Sequence, residues 1–176
     1  MTALRLGIAA AADIPAIRDL MALAIDELQR PYLTPEQLAA SQAGMGLDTQ
    51  LIDDGTYFCV WDGEILVGCG GWSPRATLYG GNHSAGRDPR MLDPATERAK
   101  IRAMYTHPEH THRGIGRMIL EAGEAAARLA GFRAVEMAAT MAGKPFYLRC
   151  GYEIESEWLD SNGAVPVPLA TMVKTL

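Results

Sequence analysis

The sequence predicts a mixed α/β fold: a central sheet, mostly antiparallel, with one parallel strand pair and helices on both faces. Three observations lead there. First, short runs suited to strands alternate with stretches of helical spacing, in the order strand, two helices, three strands, helix, strand, helix, two strands. Second, Asp62-Gly63 lies between two apolar runs, a strong antiparallel hairpin signal. Third, strand 100–106, helix 114–130 and strand 133–140 follow one another, and a strand–helix–strand crossover joins parallel neighbours.

The elements can be justified in turn. Residues 3–9 alternate well enough for a short strand. Asp13 is placed to cap a helix that tolerates Pro15 in its first turn, and Ile17, Leu20, Met21, Ala24 and Leu28 form its apolar stripe. Pro31 stops it. Thr34-Pro35-Glu36-Gln37 opens a second, short helix with Gln37 set for a capping box, and a further turn is expected over 48–53. Strands follow at 56–61 and 64–72. Residues 73–96 have little periodicity and many turn residues; a loop of that length in a compact domain is usually functional or mobile. Strand 100–106 leads to helix 114–130, with Ile115, Met118, Ile119, Ala122, Ala126 and Leu129 on one face, an exposed Glu124–Arg128 pair, and Gly131 as the stop. After strand 133–140 come a short helix at 144–150, ended by Gly151, and strands at 152–158 and 165–174.

Length and composition bound the function. With 176 residues, 48% of them hydrophobic and 21% charged, the chain is expected to be one domain, 1–176, with a real core. A net charge of −5 argues against non-specific nucleic-acid binding. Cys59, Cys69 and Cys150 lack metal-ligand spacing and suggest buried thiols in a reducing compartment. There is no apolar run long enough for a membrane span and no signal-peptide pattern at the start, so a cytoplasmic location with no membrane partner is expected.

The most informative stretch is His107-Pro108-Glu109-His110-Thr111-His112-Arg113-Gly114-Ile115-Gly116-Arg117. Two glycines sit where a loop becomes a helix, so free backbone N–H groups face outward at the positive helix end with no Cβ in the way. That is a place for a phosphate or pyrophosphate. It is neither a P-loop, which needs Gly-Lys-Ser/Thr, nor a dinucleotide fingerprint, because position 119 is Ile. Without a ligand the same glycines would make a tight strand-to-helix turn. His107, His110 and His112 also invite a metal reading, but no Cys or carboxylate pattern completes a site, and no metal is expected.

Met104-Tyr105-Thr106-His107-Pro108, followed by Arg113-Gly114-Ile115-Gly116-Arg117, resembles the strand and acyl-CoA pyrophosphate loop (Gln/Arg-x-x-Gly-x-Gly/Ala) of the GCN5-related N-acetyltransferase (GNAT) superfamily. Thr111 stands in the first position of that pattern. A second segment, Ala142-Gly143-Lys144-Pro145-Phe146-Tyr147-Leu148-Arg149-Cys150-Gly151-Tyr152, is similar to the family's A-x-x-x-F-Y-x-x-x-G-F/Y. The resemblance covers nearly the whole chain. It implies a GNAT-like sheet whose parallel pair is splayed, acetyl-CoA or a related acyl-CoA as cosubstrate, and an amine of a small molecule or protein as acceptor. A homodimer is also in keeping with the family.

The resemblance further implies roles. The loop of Thr111, His112, Arg113, Gly114, Ile115, Gly116 and Arg117 would hold the pyrophosphate, with Arg113 and Arg117 either adding charge or simply solvated. The Met104 amide would face the acyl carbonyl, where a preorganised oxyanion donor is worth about 2.7–4 kcal/mol. Thr106 main chain would meet the pantetheine arm. Tyr147 would be the general acid for the leaving thiolate, its alternative being a packing aromatic beside Phe146. The Glu that some members carry four residues before Met104 is Lys100 here, so the base is open among Glu136, His83, Asp93 and a water chain. The polar and aromatic 73–96 loop would shape the acceptor site or a subunit contact, or be a surface insertion. The alternative to catalysis is a non-catalytic acyl-CoA-binding module of the same fold.

Overall fold

The computed structural model describes residues 3–176. Strands β1 (Leu4–Ile8), β2 (Tyr57–Asp62), β3 (Ile65–Ser73), β4 (Ala99–Thr106), β5 (Ala134–Thr140), β6 (Glu153–Asp160) and β7 (Val167–Thr175) form one sheet in the order β1-β2-β3-β4-β5-β7-β6. Every neighbouring pair is antiparallel except β4 and β5. That pair is parallel, as the crossover requires. It is joined only at Ala99–Val135 and Lys100–Glu136, after which the strands part.

The helices are α1 (Ile14–Gln29), α2 (Pro35–Gly44), α3 (Gln50–Asp53), α4 (Ile115–Leu129) and α5 (Lys144–Arg149). On one face Ile17, Leu20 and Met21 of α1 and Leu51 of α3 pack with Tyr57, Cys59, Leu66 and Cys69. On the other, Ile115 and Ile119 of α4 meet Val60 and Val67, while Leu120 and Ala127 continue into a core with Trp72, Ile101, Val135 and Met137. Glycines in β3 allow this close approach: a Cβ on Gly68 would lie 2.2 Å from the Ile115 side chain.

Several local expectations hold. The capping box is present, with Gln37 N–H donating to Thr34 Oγ1 (3.2 Å) and Thr34 N–H to Gln37 Oε1 (3.1 Å). The three cysteines are free; Cys59 and Cys69 are buried, which pushes their thiols up to about 12, while Cys150, expected to be buried too, is only half-buried.

Others need correction. Asp13 does not cap α1; its carboxylate accepts from Ala10 N–H (2.8 Å) and closes a 3-10 turn at Ala11–Asp13 that precedes the helix. The buried face of α4 is rotated from the expected stripe. Leu129 is 90% exposed, whereas Leu120, Gly123, Glu124 and Ala127 are buried. The helix turns its small residues to the sheet, where Gly123 fits against Trp72 and Gly71. Glu124 therefore does not form an exposed pair with Arg128. Its carboxylate accepts from Tyr152 OH (2.9 Å) and Lys174 Nζ (2.9 Å), so three distant segments meet at one buried charge.

Candidate active site

Where β4 and β5 part, a cleft of about 700 Å³ opens. The start of α4 lies at one end, and α1, the α2–α3 link and the 73–96 loop lie at the other. Met104, Thr106, Thr111, His112, Gly114, Ile115, Gly116, Arg117 and Tyr147 all line it.

Backbone geometry makes the first end. His112 (φ 62°) and Gly114 (φ 81°) both adopt the left-handed region, which turns the loop sharply into the start of α4. Gly114 is the residue before the first turn of α4 and offers no side-chain cap. A Cβ there would meet no atom within 4 Å, so the space above it is open cleft. The first intrahelical bond is Met118 N–H to Gly114 C=O (2.9 Å). The preceding amides of the turn have neither an intrahelical acceptor nor a capping side chain, and they sit at the positive end of the helix dipole. Gly116 has a different reason to be glycine: a Cβ would lie 3.2 Å from the Phe146 ring, so it lets α5 close onto the loop.

Positive charge gathers at this end in Arg117 and in Arg149, a residue the sequence reading had passed over because it lies outside the glycine loop. Arg113 is placed differently. Its guanidinium is ion-paired to Asp62 (2.7 Å) and donates to His110 Nδ1 (2.6 Å), tying the loop to the end of β2. His107 and His110 stack edge to face at 5.0 Å, and both His110 and His112 line the cleft. Among the described residues no group of three or more His, Cys, Asp and Glu is placed to hold a metal ion.

The middle of the cleft is a bulge. Gly68 pairs with Thr106 and Cys69 with Tyr105, but Gly71 pairs with Arg102, so Ala103 and Met104 together oppose Gly70. Ala103 takes φ 50°, a left-handed conformation that costs a non-glycine residue about 1–3 kcal/mol and collects at functional sites. Gly70 accommodates it: a Cβ there would come within 2.5 Å of Met104 Sδ. Tyr147 lies across the cleft on α5, packed edge-on against Phe146 (5.2 Å) and Tyr152 (5.8 Å). The packing reading and the cleft-lining reading are therefore both true of its position. Burial raises its phenol well above the ordinary tyrosine value, so it stays protonated.

The far end is lined by Ala24, Leu28, Gln29, Tyr32, Met45, Leu78, Tyr79 and Leu169. Leu28, expected in the core stripe of α1, is a cleft wall instead. The 73–96 loop forms part of this end because a buried ion cluster pins it. Arg102 (2% exposed side chain) donates to Asp48 (3.1 Å, 3% exposed) and to the carbonyls of Thr77 (3.1 Å) and Gly80 (2.8 Å). Arg87 reaches the other oxygen of Asp48 (2.9 Å) and Gly81 C=O (3.0 Å). Arg75 holds Asp54 in a two-pronged pair (2.7 and 2.8 Å). Nothing in the sequence periodicity marks these ion pairs, whose charged partners lie 21 to 54 residues apart.

None of the three side chains considered as a base lines the cleft. Glu136 is tied to Lys100 and Arg98 at the closed end of the strand pair. Asp93 organises a turn through Ala95 N–H and Thr96 Oγ1. His83 donates to Ala43 C=O (2.7 Å) beside a smaller adjoining cavity.

The comparisons agree with this architecture. The model of the Acetyltransferase (GNAT) family matches residues 17–152. A GCN5-related N-acetyltransferase structure from Rhodopseudomonas palustris is 18% identical, with a TM-score of 0.71 over 100% of this chain and 96% of that one. PaiA N-acetyltransferase from Thermoplasma acidophilum, solved in complex with coenzyme A, is 12% identical, with a TM-score of 0.68 over 99% and 100% of the two chains. The yncA protein of Salmonella typhimurium, solved with acetyl-CoA, is 18% identical, with a TM-score of 0.64 over 99% and 95%. Among curated proteins no significant match is found.

Proposed function

Starting from the fact that the chain belongs to the acetyltransferase (GNAT) family, we propose that it transfers an acetyl group from acetyl-CoA to a primary amine of a small molecule or protein. The observation that carries this reading is the uncapped turn at Gly114, which opens onto the gap between β4 and β5. A nucleotide pyrophosphate fits main-chain nitrogens at a helix start, and Arg117 and Arg149 add charge beside it. Thr111 and His112 line the same wall, while Arg113 acts on the loop rather than on the phosphates. The pantetheine arm would run along Thr106 in the gap, which brings the thioester to the bulge. There the Met104 amide donates to the carbonyl oxygen as negative charge develops on it.

The amine attacks the carbonyl carbon, the C–S bond breaks, and Tyr147 OH supplies the proton that the departing thiolate takes up. Burial keeps the phenol neutral, so it holds a proton to donate, and at the same time makes it a weaker acid than a free tyrosine. The proton that the amine sheds passes to water, since Glu136, Asp93 and His83 lie elsewhere, and a proton returned by water restores the Tyr147 phenol. Incubation with acetyl-CoA and a panel of amines, read by release of the CoA thiol, tests the activity; the melting temperature with CoA tests the site independently. Stabilisation by CoA with no turnover on any amine would favour the non-catalytic binding module. No stabilisation at all would remove the cradle.

A further inference from the structure

Tyr57 sits on β2, two strands from the cleft, and makes no contact that the reaction as described requires. Its side chain is fully buried (0% exposed) among the residues of the α1 face. Such a tyrosine needs partners for its hydroxyl: the Cys69 thiol lies within hydrogen-bonding reach of it, and the OH itself donates to the carbonyl of Ala103 at 2.8 Å. Ala103 is the left-handed residue of the bulge, and its carbonyl belongs to the same peptide unit as the Met104 N–H. From these observations we infer that Tyr57 is a positioning residue for acyl transfer: its hydroxyl sets the Ala103–Met104 peptide plane and so aims the Met104 N–H into the cleft. This rests on the acetyl-transfer reading given above.

The argument is one of peptide geometry. There are no cis peptides among the described residues, and in a trans peptide C=O and N–H point in opposite directions. Strand order places β2 and β3 on one side of β4, with β5 and the gap on the other. A carbonyl held toward Tyr57 therefore sends the N–H of Met104 away from Tyr57. On that side β4 has lost its partner, since its pairing with β5 ends at Lys100.

The contact also acts electronically. A hydrogen bond accepted by the carbonyl polarises the whole peptide and makes its N–H a stronger donor, an effect enlarged where water is excluded. The strain of φ 50° at Ala103 needs such a tether, because without it the bulge can relax toward an ordinary ladder and turn the amide aside.

The test is the carbonyl stretch of bound [1-13C]acetyl-CoA in wild type and in Tyr57→Phe, with CoA affinity measured in parallel. Phenylalanine keeps the ring and removes the hydroxyl, with its bond to Ala103 C=O and its contact to the Cys69 thiol. The wild type is expected to shift the thioester band to lower frequency than in solution. The variant should lose most of that shift and slow acetyl transfer about ten- to hundredfold, with CoA affinity unchanged. Incorporation of 3-fluorotyrosine at position 57 keeps the shape and strengthens the donor, and should move the band further down even if the phenylalanine variant folds poorly. A band insensitive to fluorination, or identical in Tyr57→Phe and wild type, overturns the assignment. Wild-type protein that does not bind CoA overturns instead the acetyl-transfer reading, and this inference with it.

Discussion

At the α4 end the cleft is lined by a short stretch of chain, Thr111, His112 and residues 114–117, whose helix-start amides are uncapped, whereas at the opposite end the walls are side chains drawn from α1, the α2–α3 link, the 73–96 loop and β7. The first end depends on two left-handed residues and an uncapped helix start. The second depends on ion pairs that close over long sequence separations, with Arg102 and Asp48 almost wholly buried. A site made of backbone tolerates most side-chain changes and reads a shape common to every nucleotide tail. A site made of side chains held by a buried cluster can be reshaped by substitution, which is what an acceptor pocket needs to acquire specificity.

If the two ends are independent, damage to one should spare the other. The largest effect is expected from Asp48→Asn, which leaves the Arg102 charge buried beside Arg87 without its counter-ion. The loss should be about 3–5 kcal/mol in urea denaturation. CoA affinity measured well below the new midpoint should stay near wild type; a parallel fall would show that the ends are coupled.

Tyr147→Phe comes next. Turnover should drop about a hundredfold or more with CoA affinity retained, and wild-type turnover would remove the acid role. The sign of its pH dependence follows from burial. The phenol is raised, so the protonated acid persists through and beyond the ordinary tyrosine range near pH ~10, and no alkaline loss of activity below that point should trace to Tyr147.

Gly114→Asp places a carboxylate where the cleft is open and the helix dipole is positive. CoA affinity should weaken at least about tenfold, roughly 1.4 kcal/mol, in calorimetry, and the melting temperature should fall by a few degrees because aspartate must take up the left-handed φ of 81°. Unchanged affinity would refute the cradle.

The smallest effect concerns the surface side of the 73–96 loop. Arg90 and the Asp93 amide hold the Glu97 carboxylate at about 2, and Arg75 holds Asp54 below its usual value. Both values are depressed, so their contribution is present above the ordinary carboxylate range and is lost as pH falls through the lowered values. Carbon-detected NMR titration should find Asp54 and Glu97 still ionised when free carboxylates are half protonated. Ordinary values for both would mean that the pairs do not hold the loop.

Much of the fold was legible in advance because its signals are local. Short strand-like runs marked the strands, Asp62-Gly63 the hairpin, Thr34 and Gln37 a capping box, and the crossover around α4 the parallel pair. The glycine loop was legible for the same reason: a backbone site must be contiguous, so its residues lie together in the chain.

Where long-range partners decide, the reading failed. Helical spacing allowed two adjacent faces of α4 to be the buried one. Leu129 lost because Gly123 fits the sheet and because Lys174 and Tyr152 make Glu124 affordable inside.

By itself, then, the sequence determined the order of elements, the need for one parallel pair, and the glycine turn that opens α4, since each follows from the conformational preferences of neighbouring residues. Only the tertiary structure decided that β4 and β5 part after two residue pairs, that Ala103 is forced left-handed beneath the Tyr57 hydroxyl, and that Arg102 draws the 73–96 loop over the cleft. Those outcomes depend on groups far apart in the chain. Their energies exist only once the sheet has brought them within hydrogen-bonding distance, so no local pattern announces them.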